Sequence, residues 1–358
     1  MSFRETTAET GDGSSTSSLA FATSEGGSRK RGRSPPGKPY VSDYRPYGSG
    51  LLQLHRRRPN AEMHKKQWDL YYRNNTVNGY KDRHYILREF HELRAAIDAA
   101  AETAVGADTT VPEGGADKDA EAVASDGAAS FSWMEAGCGV GNAMLPVFQE
   151  YGHLPQWRAL LGFDISSVAI RLLEEKIASM PPALAAKVHV CVLNPSESDV
   201  ADCALFHPAP ACSSLSAATA APRAFPEFVS LIFVLCSVPV PSHAVVLQRL
   251  AKCMKRPGGV LYFRDYAVSD HAESRFQQSN RQLRGESGNG VAAADANTYE
   301  RTNGTLSHFF SVDEVRQLFT GAGFEVIALG IIESDVTNRK TSASFARKFV
   351  QGRFRLLA

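Results

Sequence analysis

The stretch Ser130-Phe131-Ser132-Trp133-Met134-Glu135-Ala136-Gly137-Cys138-Gly139-Val140-Gly141-Asn142 decides the fold of this chain. Its first half reads as a buried strand, and its second half as a glycine-rich turn opening a helix from Asn142 to about Glu150. Glycines there permit φ > 0 and let a ligand approach the backbone. Trp157 to Phe163 is a second apolar run ending at Asp164. An acid placed roughly twenty residues past such a turn, at the next strand's end, accepts hydrogen bonds from ribose hydroxyls.

Working outward, strand and helix alternate. Ser166-Ser167 cap a helix from Val168 to Ala178, with Ile170, Leu173 and Ile177 on one face. Val188–Leu193 and Phe228–Leu235 read as strands, the second almost wholly apolar. A helix from Ser242 to Met254 leads through Pro257-Gly258-Gly259 to a strand from Val260 to Arg264. A helix (Val312–Ala322) and two strands (Phe324–Ile332, Phe345–Phe354) close the chain, and helix-forming residues 62–95 precede the first strand. The pattern predicts an α/β fold with a parallel, doubly wound, Rossmann-like sheet and an N-terminal helical element. Ligands of such sheets sit beyond the carboxyl ends of the strands, at the switch point. The positions to inspect are therefore Glu135–Asn142, Asp164, Val192–Leu193, Ile232–Ser237 and Arg264–Tyr266.

At 358 residues the chain exceeds one such domain. Four segments read as non-core: a basic tail, 1–60, and low-complexity insertions at 99–130, 207–224 and 285–297. None carries enough periodic apolar surface to offset its ordering entropy. The domain is thus expected within 61–358. A net charge of +1 hides segregation. Residues 1–66 hold 12 Lys/Arg against 6 Asp/Glu, 99–130 hold 1 against 7, and residues from 331 onward hold 6 against 2. The basic ends suit a polyanion, or are plain solubilising segments. No apolar run approaches the roughly 18–20 residues of a spanning helix, and the first residues read as neither a secretory signal nor an organellar presequence. Six cysteines without a CxxC pair argue against a metal site or a disulfide framework. A soluble cytoplasmic protein is the expectation, with Arg29-Lys30-Arg31-Gly32-Arg33 resembling a nuclear-import run.

Two cofactors use this glycine-turn geometry. A dinucleotide wants GxGxxG, but the sixth position here is Asn142, and Glu135 is ill-placed beside a pyrophosphate. S-adenosylmethionine is a cationic aminoacid-bearing nucleoside, whose ammonium Glu135 attracts while Asp164 takes the ribose. A tight strand–helix turn alone explains the glycines but not the two acids. The expectation is a class I methyltransferase sheet. Methyl transfer from a sulfonium needs an in-line nucleophile and is catalysed mainly by positioning and electrostatics. The fourth strand lacks a Pro-Cys for attack on a pyrimidine C6 and an Asn/Asp-Pro-Pro-aromatic loop for exocyclic amines; it ends Leu235-Cys236-Ser237-Val238-Pro239. A ring nitrogen with a free lone pair needs neither. Arg264-Asp265-Tyr266 and Asp82-Arg83 supply the groups expected around a flipped base, with Asp265 and Asp82 as counter-charges to the methylated base. Arg83 and Arg264 would hold RNA phosphate or orient the acids. Trp68 and Tyr72, four apart on a helix, are placed to pack over the cofactor or to form an ordinary core stripe.

Trp68-Asp69-Leu70-Tyr71-Tyr72, Lys81-Asp82-Arg83-His84, the glycine turn, Leu231–Leu235, Phe263–Tyr266, Arg301–Thr305 with Phe309-Phe310, and Asn338-Arg339-Lys340 together resemble the tRNA 3-methylcytidine methyltransferases, closest to the branch acting on serine tRNA. The resemblance spans about residues 62–355 outside the insertions. It implies S-adenosylmethionine as cofactor, no metal, and methylation of cytidine N3 at position 32 of the anticodon loop. Serine tRNA is the implied substrate, and seryl-tRNA synthetase a partner to consider. Carried over, the cofactor positions are Trp68, Tyr72, Gly137, Asp164, Leu193 and Ile232, alongside Glu135 and Gly139. One departure stands out. The family has Cys-Asp-Leu where this chain has Cys191-Val192-Leu193, so adenine meets only backbone at Val192, a loss of about 0.5–1.5 kcal/mol. Val192 is also what supports a rival reading, a catalytically silent tRNA- or synthetase-binding subunit.

Overall fold

A computed structural model describes residues 3–5, 61–108, 129–208, 221–285, 297–337 and 344–358. The tail expected at 1–60 lies outside them apart from 3–5, as do 109–128, 209–220, 286–296 and the Asn338-Arg339-Lys340 motif. A short strand, β1 (Phe3–Glu5), precedes helices α1 (Ala61–Asn75), α2 (Ile86–Glu89) and α3 (His91–Asp108). The alternating part then follows as β2 (Phe131–Ala136), α4 (Met144–Tyr151), β3 (Trp157–Asp164), α5 (Ser167–Ala178), α6 (Pro182–Ala185) and β4 (Val188–Val192). Next come β5 (Phe228–Ile232), α7 (His243–Lys252), β6 (Val260–Tyr266) and α8 (His271–Gly285). The hairpin β7 (Thr298–Glu300)/β8 (Leu306–His308) leads to α9 (Val312–Gly321), β9 (Phe324–Thr337) and β10 (Ser344–Leu356).

Eight strands form one sheet in the order β1-β9-β10-β6-β5-β2-β3-β4. The chain leaves β2 toward β3 and β4, then returns to β5 on β2's other side, so the switch point lies between β2 and β5. Strands β2 to β6 are parallel, as expected, but β10 runs antiparallel to both β6 and β9. The sheet is mixed because β9 and β10 form a hairpin, and a short reversal permits only antiparallel pairing.

Alternation along the strands supplies two apolar layers. Met134 and Ala136 face the side covered by α7 and α9 through Val246, Leu250, Val315 and Phe319. Phe131 and Trp133 face α3, α4 and α5 through Leu93, Phe148 and Leu173. Trp133, fully buried, satisfies its indole N–H by donating to Ser230 Oγ at 2.9 Å. Phe90 stacks on Tyr262 at 3.9 Å, and the Tyr262 hydroxyl accepts the Leu93 N–H, which pins the N-terminal helices to β6. Residues 99–108, read as the start of an insertion, continue α3, and Ala100 is buried there. The cations of β10 are also spoken for. Arg347 pairs with Asp270, Lys348 with Glu333, Arg353 with Glu92 and Arg355 with Glu325. Each described cation of β10 thus has a carboxylate partner within the chain, Arg347 and Arg353 in part-buried pairs and Lys348 and Arg355 in exposed ones. No helix among the described residues is long and apolar enough to cross a membrane.

Candidate active site

At the end of β2 the chain turns through Gly137 (φ +69°) and Gly139 (φ +52°). A Cβ on Gly137 would collide with the Val234 methyls, and one on Gly139 with the Tyr72 hydroxyl. The left-handed backbone and the close approach both demand glycine. Glu135 is buried beneath the turn, with its Oε2 accepting the Met144 N–H at the start of α4, 3.1 Å away. Burial pushes its carboxyl up to about 8, against the pull of the Arg83 guanidinium and that N–H. Asp164, at the tip of β3, accepts the Gly139 N–H on Oδ2 (2.9 Å) and the Ser166 N–H on Oδ1 (2.8 Å). Burial raises it to about 6, the two N–H groups opposing.

Helix α1 roofs this turn. Trp68 and Tyr72 lie 6.1 Å apart and pack with Val140, Val168 and Ala169. Asp69 fixes the roof by accepting the Ser166 hydroxyl at 2.7 Å and the Val168 N–H at 3.2 Å, capping α5 from another helix. The Leu193 N–H donates to the Asp164 carbonyl at 2.9 Å. Val192 is 43% exposed at the tip of β4, and Ile232 is buried at the tip of β5. Trp68 and Tyr72 of α1 thus meet the Gly139–Asp164 pair, Glu135 and Gly137 lie at the end of β2, and Val192, Leu193 and Ile232 lie at the carboxyl ends of the neighbouring strands β4 and β5.

This end of the sheet fits S-adenosylmethionine. The glycines add no side chain of their own to the turn, Asp164 lies at the tip of the next strand where a ribose would be held, and Glu135, held in its neutral range by burial, would be stabilised as an anion by a cation beside it. Tyr72 closes the top. Among the described residues no cluster of His, Cys, Asp and Glu is arranged to hold a metal ion.

The neighbouring end is built on a strained residue. Phe233 has φ +55°, and its N–H donates to the Arg264 carbonyl at 2.8 Å. Strand β5 therefore stops at Ile232 rather than at Leu235, and a 3₁₀ turn (Leu235–Ser237) follows. The turn is anchored by Asp265, which accepts the Cys236 N–H on Oδ2 and the Tyr266 N–H on Oδ1, each at 2.9 Å. Asp265 is fully buried, which raises it to about 6 against these bonds and the nearby Arg301. Above it runs a row of stacked groups. Arg83 lies over Phe233 at 4.7 Å, Phe233 meets Tyr266 at 5.1 Å, and Arg301 lies over Tyr266 at 5.8 Å. Arg301 comes from the link between β7 and β8, donates to Ser307 Oγ at 3.2 Å, and faces Cys236, Tyr80 and Asp265. The part-buried Arg83, Phe233, Tyr266 and Arg301, with Tyr80 at 36% exposure, make this an aromatic–cationic face.

Two expected roles change. Arg264 is buried under Tyr85 (4.4 Å) and Phe349 (4.9 Å) and donates to Gln351 Oε1. A phosphate has no path to it, so it wedges β6 against the N-terminal segment. Asp82 is exposed on the cofactor rim, where it accepts Asn142 Nδ2 at 2.8 Å, while Arg83 donates its N–H to the Asn142 carbonyl. It shares no partner with Asp265 and latches the 80–83 segment to the glycine turn. The sequence gives no site role to Asp69 or Arg301, although both stand inside quoted motifs, and it marks Phe233 only as one of the strand-end positions 232–237. Only their three-dimensional neighbours reveal what they do.

Glycine cradle, paired acids and switch-point sheet define a methyltransferase. A family model described as "Methyltransferase domain" matches residues 80–329, and the chain belongs to that family. The tRNA N(3)-cytidine methyltransferase METTL6 of Mus musculus is 30% identical over 291 residues, covering 81% of this chain and 80% of the relative. The tRNA N(3)-methylcytidine methyltransferase trm141 of Schizosaccharomyces pombe is 27% identical over 292 residues, covering 80% and 90%. A solved SAM-dependent methyltransferase from Methanosarcina mazei has a TM-score of 0.43 at 20% identity, covering 64% of this chain and 94% of its own. The chain is a member of the tRNA N(3)-cytidine methyltransferases.

Proposed function

We propose that this chain transfers a methyl group from S-adenosylmethionine to N3 of a cytidine in tRNA, at position 32 of the anticodon loop. Serine tRNA is the proposed substrate and seryl-tRNA synthetase the partner that presents it. The observation that carries the reading is the Arg83–Phe233–Tyr266–Arg301 row standing directly beside the glycine cradle. The relatives' names point the same way.

Bound S-adenosylmethionine supplies an electrophilic methyl on a sulfonium. Cytidine N3 carries its own lone pair on the Watson–Crick edge, so the site needs a flipped base rather than a general base. Tyr80, Phe233 and Tyr266 offer faces on which an unstacked base rests, with stacking worth about 1–3 kcal/mol per base. Arg83 and Arg301 offer donors to phosphate or to the base carbonyl. Transfer leaves a positive charge on the base. Asp265, ionised above about 6, neutralises Arg301 from below so that the pocket does not repel that charge. Its action is through Arg301 and the 235–237 turn.

The test is mass spectrometry of nucleosides from serine tRNA incubated with the full chain and S-adenosylmethionine, with and without the synthetase. The expected product is 3-methylcytidine, absent when cytidine 32 is replaced by uridine. Methylation at another atom, or turnover without RNA, overturns the reading. A silent subunit would bind tRNA and form no 3-methylcytidine under any condition.

A further inference from the structure

Arg301 is carried by a very small piece of structure. Hairpin β7/β8 has three residues in each strand and forms a sheet of its own, separate from the eight-stranded one. A hairpin of that size is marginal in water without anchoring from outside. Its tip is fixed internally: the Arg301 N–H donates to the Thr305 carbonyl and the Gly304 N–H to the Arg301 carbonyl, each at 2.8 Å, and Arg301 Nη2 donates to Ser307 Oγ. The place of the guanidinium is therefore set by how the hairpin as a whole is held.

One side chain at the base of the hairpin links it to both of its neighbours. His308, 3% exposed, stands opposite Thr298 in the register. Its Nδ1 lies 2.7 Å from Thr298 Oγ1, tying the two strands, and its Nε2 lies 2.8 Å from Glu314 Oε1 in the first turn of α9. The carboxylate only accepts, so Nε2 carries a proton, while the Thr298 hydroxyl serves Nδ1 in either sense. Glu314 is itself fixed, its N–H donating to the Ser311 hydroxyl that caps α9 at 3.1 Å. The His308 ring also packs edge-on against Phe310 (4.5 Å) and His243 (5.4 Å). His243 donates from Nε2 to the Val238 carbonyl at 2.9 Å, and the Val238 N–H donates to the Leu235 carbonyl. This second ring thus holds the 235–237 turn that Asp265 anchors. Alternation along β8 puts Ser307, the partner of Arg301, on the face opposite His308.

We propose that His308 is a positioning residue for tRNA: bonded to Thr298 and Glu314 and packed on His243, it sets the hairpin, and with it Arg301, against the 235–237 turn. Buried as it is, it acts through Arg301 and not on RNA directly. It therefore governs the tRNA end of the reaction and leaves the S-adenosylmethionine end alone. The inference rests on the assignment of Arg301 to the substrate face.

The experiment measures kcat/KM for tRNA, and S-adenosylmethionine affinity by calorimetry, on the full chain carrying His308→Leu, Arg301→Gln or both. His308→Leu is expected to lower kcat/KM for tRNA on the order of tenfold, mostly through KM, with cofactor affinity native. Beside Arg301→Gln the same substitution is expected to cost less than about twofold, because the group it positions is gone. His308→Gln, whose amide nitrogen still donates toward Glu314, should recover most of the loss. If His308→Leu folds poorly, Thr298→Val carries the same comparison: it removes only the Nδ1 partner, from a half-buried site, and should cost about threefold to tenfold. A loss that persists in full beside Arg301→Gln, or an equal fall in cofactor affinity, marks an ordinary structural role and overturns the proposal. Native tRNA kinetics in His308→Leu overturn it too. Native kinetics in Arg301→Gln strike the reading of Arg301 itself, and the proposal with it.

Discussion

The acids and glycines of the cofactor end, Glu135, Gly137, Gly139 and Asp164, come from one strand–turn–helix–strand unit. The substrate end draws Arg83, Phe233, Asp265, Tyr266 and Arg301 from segments more than two hundred residues apart. The two ends also differ in charge. The cofactor end buries carboxylates that a cationic ligand stabilises, and the substrate end presents guanidinium groups on aromatic faces. The lesson is that a site shaped by backbone geometry shows as a contiguous motif, while one built of side chains is collected from anywhere the fold brings together.

Substitutions that separate the ends test this contrast. The largest effect is expected from Gly139→Ala. It forces a left-handed alanine, costing roughly 1–2 kcal/mol, and sets a methyl against the Tyr72 hydroxyl, about 1–3 kcal/mol more. S-adenosylmethionine affinity should fall on the order of 10²-fold or more, read by calorimetry, with circular dichroism confirming the fold. Native affinity would mean that the turn is not the cradle. Next is Arg301→Gln, which removes a charged donor worth about 1.5–3 kcal/mol. We expect kcat/KM for tRNA to drop roughly tenfold to a hundredfold while cofactor affinity stays put. Equal losses at both ends would show that the two regions are not separable. The smallest effect, and the one with opposite sign, is Val192→Asp. A carboxylate at this exposed tip can accept from the adenine amino group, and affinity for S-adenosylmethionine should rise by up to about tenfold. A neutral or harmful outcome would place adenine elsewhere.

The same division decides what the sequence makes legible. Strand β2, its turn and Asp164 are readable because a buried apolar run, a glycine requirement and an acid at the next strand's tip are local rules. The Ser166 cap is readable for the same reason, its hydroxyl accepting the Ala169 N–H at 3.1 Å. The role of Asp69 is not, because it caps a helix almost a hundred residues away. Phe233 is hidden as well: Phe228–Leu235 is uniformly apolar, and nothing in that pattern signals a left-handed residue that ends the strand early. Arg264 and Asp82 look like active-site residues as types, yet burial under two rings and engagement with Asn142 set their work. The basic run in β10 likewise looks like an unpaired cationic strand until each described cation is seen to have a carboxylate partner.

The paired-acid account has a pH signature. Glu135 titrates at about 8 in the folded chain against 4.5 ordinarily, so the ligand-free fold holds an extra proton between those values. The unfolded chain binds fewer protons there, and Glu135 therefore lowers stability as pH rises across that window. Glu135→Gln should flatten this limb in thermal melts taken from about pH 5 to 8. A bound ammonium reverses the preference by favouring the carboxylate. The most direct measurement is calorimetric titration of the full chain with S-adenosylmethionine at neutral pH, in buffers of different ionisation enthalpy. The predicted result is saturable one-to-one binding with proton release, and no release from Glu135→Gln. Heat that is independent of buffer, or no saturable heat while a nicotinamide dinucleotide binds, would contradict the placement of the methyl donor between Glu135 and Asp164.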